Sequence, residues 1–91
     1  MGKFGIRNTP KEVMIALARE FSHFRVDQNM TQKELSEKSG VAYATVRKFE
    51  TKGIISFESF LKLADALGKL DAFENLFNYP DLSDKDKLFD V

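Results

Sequence analysis

Apolar residues recur at helical spacing along the first third of the chain. The repeated positions, at intervals of four, four and three residues, are Val13, Leu17, Phe21 and Phe24. This spacing places side chains on one face of a helix. Thr9, Pro10 and Glu12 form a helix start, because a threonine cap, a proline in the first turn and a glutamate that reaches back suit the free amide groups there. The pattern predicts a helix that runs to about Asp27.

A second, shorter helix is predicted over residues 32–39. Thr31 and Glu34 form another capping box at its start, and Leu35 supplies its apolar contact. Gly40 follows, and glycine readily adopts the left-handed conformation that ends helices.

A third helix is predicted over residues 41–51, with Val46 and Phe49 on its inner side. The residue at its cap position is Ala42, which has no side-chain acceptor, so the start of this helix is weakly specified. Gly53 is expected to end it.

Two further helices are predicted downstream. Ser56 caps the fourth, which ends at Gly68, and its inward residues are expected to be Phe57, Phe60, Leu61, Ala64 and Leu67. Asp71 and Glu74 begin the fifth, which Pro80 ends. The apolar positions of this fifth helix are Leu70, Phe73, Leu76 and Phe77.

These elements predict an all-α fold, a compact bundle of five short helices. We expect a flexible N-terminal arm over residues 1–8, a helical domain over residues 9–79 and an acidic C-terminal tail over residues 80–91. A chain of 91 residues without cysteine has neither disulfides nor thiolate metal sites. Its nine phenylalanines therefore supply much of the apolar bulk. No apolar run is long enough to span a membrane and no signal pattern begins the chain, so we expect a cytoplasmic protein.

Charge is distributed unevenly along a chain whose formal net charge is zero. Residues 1–53 carry ten Lys or Arg against six acids, and residues 54–91 carry four Lys against eight acids. The first half therefore has a net charge of +4 and the second half a net charge of −4, which indicates that the first half faces an anion.

The segment MTQKELSEKSGVAYATVRKFE, residues 30–50, has the form of two helices joined by a tight turn. In a helix-turn-helix the second of these helices enters the DNA major groove. Gly40 supplies the turn, and Leu35, Val41 and Val46 supply the contact between helices. The outward residues of the second helix are Tyr43, Ala44, Thr45, Arg47 and Lys48.

With the residues that follow, the segment resembles the lambda-repressor-like, XRE-type family. The family pattern is roughly T-Q-x-x-L-A-x-x-x-G-V-S-x-x-T-[IV]-x-x-[FWIL]-E-x-G, and the similarity covers residues 21–68. The resemblance implies a lambda-repressor-like DNA-binding domain. It also implies that Gln32 contacts a phosphate and braces the recognition residues, and that Arg25 and Glu50 form a structural ion pair. The residues it implies in DNA binding, together with neighbouring lysines, are Gln32, Lys33, Tyr43, Ala44, Thr45, Arg47, Lys48 and Lys52.

The segment GIISFESFLKLADALGKLDAFENLFNYPD, residues 53–81, is similar to antitoxins that are encoded beside HipA-type kinase toxins. This resemblance implies an alternative in which the chain restrains a protein toxin and binds DNA to autoregulate its operon. Co-purification with a kinase-like product of a neighbouring gene would favour this alternative, and a lone gene would count against it.

Residues for catalysis are scarce. His23 is the only histidine and the chain has no cysteine, so no nucleophile, base and orienting group can be assembled. We therefore expect no enzyme activity, no metal and no cofactor. The expected function is that of a sequence-specific transcriptional regulator, a repressor that binds double-stranded operator DNA as a homodimer. A structural module that has lost DNA binding is a further alternative.

Lys3 and Arg7 of the arm could enter a minor groove, or the arm could be a disordered terminus.

Overall fold

The computed structural model describes residues 8–77. The elements in this range are α1 (Pro10–Asp27), α2 (Gln32–Ser39), α3 (Tyr43–Lys52), α4 (Phe57–Ala66) and a 3-10 helix (Leu70–Phe73). There is no strand between residues 8 and 77, so the all-α prediction is confirmed for that range. The predicted acidic tail and all of the arm except Asn8 lie outside the described residues.

Capping boxes fix the starts of α1 and α2, as predicted. The Thr9 hydroxyl accepts a hydrogen bond from the Glu12 amide at 3.1 Å, and the Glu12 carboxylate accepts one from the Thr9 amide at 2.9 Å. Thr31 and Glu34 form the same reciprocal pair at 3.0 and 2.9 Å. Because both bonds of each box join residues three apart, the local sequence is enough to place each start.

The helix α3 begins at Tyr43 with Ala42 as its cap, so the predicted cap is confirmed, although the predicted segment began two residues earlier, at Val41. Val41 is turned into the core, and its amide donates a hydrogen bond to the Ser39 hydroxyl at 3.1 Å. The Ser36 hydroxyl donates to the Val41 carbonyl at 2.6 Å. These contacts make residue 41 part of the turn. Ala42 caps α3 without a side-chain hydrogen bond, as its side chain requires.

The core lies where the four α-helices meet, and a chain of phenylalanine rings runs through it. Phe21 of α1 meets Phe49 of α3 edge to face, with ring centroids 5.3 Å apart. Phe49 meets Phe60 of α4 at 5.5 Å, and Phe60 meets Phe73 at 5.3 Å. Edge-to-face packing suits the quadrupoles of aromatic rings and stabilises the contact beyond the area buried.

The inner face of α4 differs in part from the prediction. Phe60, Leu63 and Ala64 are buried, whereas Phe57 is 63% exposed. Leu63 therefore replaces Phe57 as an inward residue. Phe57 occupies the first position of α4, directly after the cap Ser56.

The predicted fifth α-helix is wrong for the residues that the structure describes. Only the 3-10 turn at Leu70–Phe73 forms, and it has no side-chain cap. Phe73 packs against Phe60, but Leu76 is 57% exposed and Phe77 is 89% exposed. Because a short helix is marginal without tertiary packing, the helical spacing of these apolar residues is not enough to form one here.

None of the helices between residues 8 and 77 combines the length and the apolar character that crossing a bilayer would require.

Two glycines with positive φ end helices, and they differ in their surroundings. Gly40 ends α2 with φ +79°, and a Cβ there would meet no atom within 4 Å. Gly53 ends α3 with φ +71°, and a Cβ there would lie 3.1 Å from the backbone of Met14 and Ile15 in α1. The end of α3 is thus seated directly on the α1 backbone.

The two glycines should respond differently to alanine. We expect Gly40→Ala to cost about 1–2 kcal/mol of unfolding free energy, the strain of a left-handed residue with a Cβ. Gly53→Ala should cost at least about 1 kcal/mol more, because it also forces α1 and α3 apart. Urea denaturation of both variants measures the difference. Equal losses of unfolding free energy in the two variants would mean that α1 moves away from residue 53 without cost.

Candidate nucleic-acid interface

The helix α3 divides cleanly into a buried side and an exposed side. Val46 and Phe49 are 0% exposed. Thr45 is half-buried, and the outward residues are Tyr43, Ala44, Arg47 and Lys48, all exposed. The buried pair is fully occupied with packing, so the exposed side chains are available to a partner. The side carries two positive charges from Arg47 and Lys48.

A carboxylate at the end of α3 connects it to α1 and α2. Arg25 of α1 donates from Nε to Glu50 Oε2 at 2.7 Å and from Nη2 to Glu50 Oε1 at 2.9 Å. Gln32 of α2 donates from Nε2 to the same Oε1 at 2.8 Å. The remaining Arg25 nitrogen, Nη1, donates to the Met30 carbonyl at 2.7 Å. A bidentate pair of this kind fixes direction as well as distance.

The ion pair is buried, with side-chain exposures of 10% for Arg25 and 4% for Glu50. Burial alone raises the pKa of the Glu50 carboxyl. The hydrogen bonds from Arg25 and Gln32 and the charge of Arg25 outweigh that effect, so the pKa lies below its ordinary value. Glu50 is therefore held in its charged form, which is the form that accepts all three hydrogen bonds.

The side chain of Gln32 connects α2 to α3. Its amide nitrogen already donates to Glu50, and the residue is half-buried at the first position of α2. Lys33, the next residue, is exposed. Gln32 thus contacts Glu50 near the end of α3, and its role towards DNA stays a prediction.

Lys52 is the last residue of α3 and is exposed. It stands at the opposite end of the helix from Tyr43, with Lys48 one turn before it. The predicted DNA-binding residues therefore form a strip along α3, and Lys33 extends from the first turn of α2.

The sequence analysis missed a groove beside the exposed side of α3. Its residues come from α3, the connection to α4 and the first turn of α4: Ala44, Thr45, Lys48, Ile54, Ile55, Ser56 and Ser59. Ile54 is 53% exposed there, although isoleucine is usually buried. In the sequence, only the isoleucine directly after Gly53 could have indicated this groove.

Two exposed side chains of α3 contact each other. The Arg47 guanidinium carbon lies 5.8 Å from the centre of the Tyr43 ring, within the range of a cation–π contact. The residues are four apart, so they are neighbours on the helix surface.

The described residues contain no group of three His, Cys, Asp or Glu side chains placed to bind a metal ion. The arrangement that they do form is a basic, exposed helix held from behind by a buried core and an ion pair.

The family model described as "Helix-turn-helix" matches residues 23–74. The match begins in the second half of α1 and continues past the 3-10 helix, so it includes all of α2, α3 and α4. No curated protein and no solved structure matches the chain.

The stability of the domain should depend on the charge of Glu50. We expect Glu50→Gln to lower the unfolding free energy by about 3–5 kcal/mol at neutral pH, because it leaves the buried Arg25 charge without a counter-charge. A carboxyl whose pKa is lowered by folding contributes stability above its unfolded-state pKa and loses it as the pH falls through the folded-state pKa. The difference between wild type and variant should therefore shrink on acidification, measured by denaturation at several pH values.

The matched control is Glu58→Gln, which removes an exposed ion pair with Lys62. This change should cost less than about 1 kcal/mol at any pH. A Glu50→Gln deficit that stays constant from neutral to acidic pH would contradict a charge-dependent role for Glu50.

Proposed function

The chain belongs to the helix-turn-helix family, and on that basis we propose that it is a sequence-specific transcriptional repressor that binds operator DNA as a homodimer. One observation carries the proposal. The helix α3 buries Val46 and Phe49 completely while it exposes Arg47 and Lys48 on its other side. In this family of motifs that helix lies in the major groove, so its exposed residues would face the base edges.

The exposed residues have the chemistry that base recognition needs. Lys48 can donate to the guanine O6 and N7 acceptors, and the methyl groups of Ala44 and Thr45 can pack against a thymine methyl. Tyr43 lies on the same exposed side of α3. Lys48, Ala44 and Thr45 would discriminate among sequences.

The remaining basic and polar residues suit the DNA backbone. Lys33 in the first turn of α2, Arg47 on the flank of α3 and Lys52 at its end are exposed cations. Gln32 braces the end of α3 through Glu50 and still has one amide proton for a phosphate. Such contacts set the register of the protein on the duplex without reading sequence.

The zero net charge of the chain affects how tightly it should bind random DNA. Non-specific binding to DNA comes mainly from neutralised phosphates, so a chain with equal numbers of acidic and basic residues should bind random DNA weakly. A dimer that engages two half-sites one helical turn apart would supply the affinity that a single domain lacks.

Exposed apolar residues near the end of the described chain are candidates for the dimer contact. Leu76 and Phe77 are largely exposed, and so is Phe57 across a groove that Leu76 also lines. Met14 and Ile55 line the same groove. Burying such side chains against a second copy would remove apolar surface from water.

An alternative function is that of an antitoxin that restrains a HipA-like kinase toxin and autoregulates its operon. Residues 54–91 carry eight acids against four lysines, which favours a partner surface distinct from the DNA-binding half. Both functions require DNA binding, so binding to the product of a neighbouring kinase gene is the measurement that separates them.

Lys48 should read sequence. After an operator is selected from random DNA, Lys48→Ala should weaken operator binding by about 1–3 kcal/mol and relax the preference at one position. Lys33→Ala should weaken all sequences alike and lower the salt slope by about 1. Mobility shifts at stated salt concentrations measure both.

Lys69→Ala is the matched control for lost charge. Its ammonium lies 4.8 Å from the Phe24 ring of α1, on a groove to which α3 contributes no residue. This variant should bind the operator like wild type. Equal loss on operator and scrambled DNA in Lys48→Ala would instead assign Lys48 to the phosphates.

The dimer should depend on the exposed apolar residues. We expect the double variant Leu76→Ser and Phe77→Ser to raise the dimer dissociation constant at least about tenfold, because apolar burial is lost. Sedimentation equilibrium measures it, and Val26→Ser, an exposed apolar position on α1, is the control. A monomeric wild type would contradict the dimer, and an unchanged double variant would contradict this surface.

A further inference from the structure

Arg47 is an exposed cation of α3 whose side chain contacts another side chain of the same helix. Its guanidinium carbon lies 5.8 Å from the centre of the Tyr43 ring. Among residues 8–77 the ion pairs join Arg25 to Glu50 and Lys62 to Glu58, so no carboxylate there competes for Arg47. The Tyr43 ring is therefore the group that Arg47 contacts.

The pair occupies one flank of α3. Tyr43 and Arg47 lie one turn apart, on the side of the helix towards Glu50, which is bound to Arg25 and Gln32. Thr45 and Lys48 lie towards the opposite flank, where they line the groove with Ser56. The two flanks thus differ, because the Arg47 guanidinium lies over the Tyr43 ring, whereas Lys48 lines an open groove.

We propose that Tyr43 is a positioning residue, whose ring holds the Arg47 guanidinium in the direction from which Arg47 binds the DNA backbone. This inference rests on the proposed function and adds a specific division of labour to it. An arginine has many rotamers in water, and ordering it on binding weakens association. A guanidinium that is already stacked on a ring loses less freedom for each hydrogen bond it forms.

Holding Arg47 and contacting DNA directly require different parts of the Tyr43 side chain. Holding Arg47 requires the ring face, which Tyr43→Phe keeps and Tyr43→Leu removes. A direct hydrogen bond to DNA requires the hydroxyl, which both changes remove. Tyr43 is about half exposed, so both variants should fold, and thermal denaturation verifies this.

The first measurement needs no DNA. The ring current of Tyr43 should shift the side-chain protons of Arg47 upfield in the NMR spectrum of the free protein. The shift should persist in Tyr43→Phe and vanish in Tyr43→Leu. Unshifted Arg47 protons in the wild type would overturn the inference, whatever the protein binds.

The second measurement is a double-mutant cycle on the operator at one salt concentration. We expect Tyr43→Leu to weaken binding about 2- to 5-fold, the range of an exposed cation–π contact, and Tyr43→Phe to bind within about twofold of wild type. Arg47→Ala should lower the slope of the logarithm of the binding constant against the logarithm of the salt concentration by about 1, which corresponds to one lost phosphate contact. In the Arg47→Ala background, Tyr43→Leu should change the dissociation constant by less than about twofold.

Two results of the cycle would overturn the inference while leaving the proposed function intact. Equal losses in Tyr43→Phe and Tyr43→Leu would assign the effect to the hydroxyl. Independent, multiplicative effects of Tyr43→Leu and Arg47→Ala would mean that Tyr43 contacts DNA by itself. A wild type without sequence preference would instead refute the proposed function, and the NMR measurement would still decide whether the ring holds Arg47.

Discussion

The orientation of α3 depends on the carboxylate of Glu50. That group accepts two hydrogen bonds from Arg25 of α1 and one from Gln32 of α2, and Arg25 also binds the Met30 carbonyl between those helices. A buried ion pair is weak evidence for net stability, because desolvation offsets most of the attraction. Its hydrogen bonds are directional, however, so they set the rotation of α3 in a way that the apolar contacts of Val46 and Phe49 do not. With Gly53 seated against the backbone of Ile15, the C-terminal half of α3 is fixed to α1 at two points.

The parts of the fold that could be predicted from the sequence are those determined by contacts close in sequence. Each capping box joins residues three apart, so Thr9 and Thr31 indicated the starts of α1 and α2 correctly. The cap of α3 at Ala42 was also indicated correctly, but Val41, which the prediction included in the helix, lies in the turn because the core and Ser39 hold it there. The weak cap was itself visible in the sequence, but its consequence for the boundary was not.

Contacts between distant residues were less predictable. The spacing of apolar residues in α4 is compatible with more than one inner face, and only packing in the fold, where α4 lies against α2, selects Leu63 over Phe57. The apolar residues after Gly68 have helical spacing, but among the described residues only Phe73 finds a partner, so a 3-10 turn forms. For the candidate site, the exposed residues of α3 followed from its periodicity. The pairing of Arg25 with Glu50 was expected only from a resemblance, and the groove beside Ile54 was not expected at all.

The division of α3 into two sides has a consequence for how such proteins diverge. Val46, Phe49 and Glu50 carry the structural contacts of α3, whereas Ala44 and Lys48 on the outer side are exposed. Under the proposed function, new sequence preferences would therefore arise at residues 44 and 48 one substitution at a time, with little effect on folding. Positions 43 and 47 share a contact, so a change at one alters what the other can do. Evolution of that flank would then proceed through paired replacements, and a library that varies both positions together should reach specificities that single changes miss.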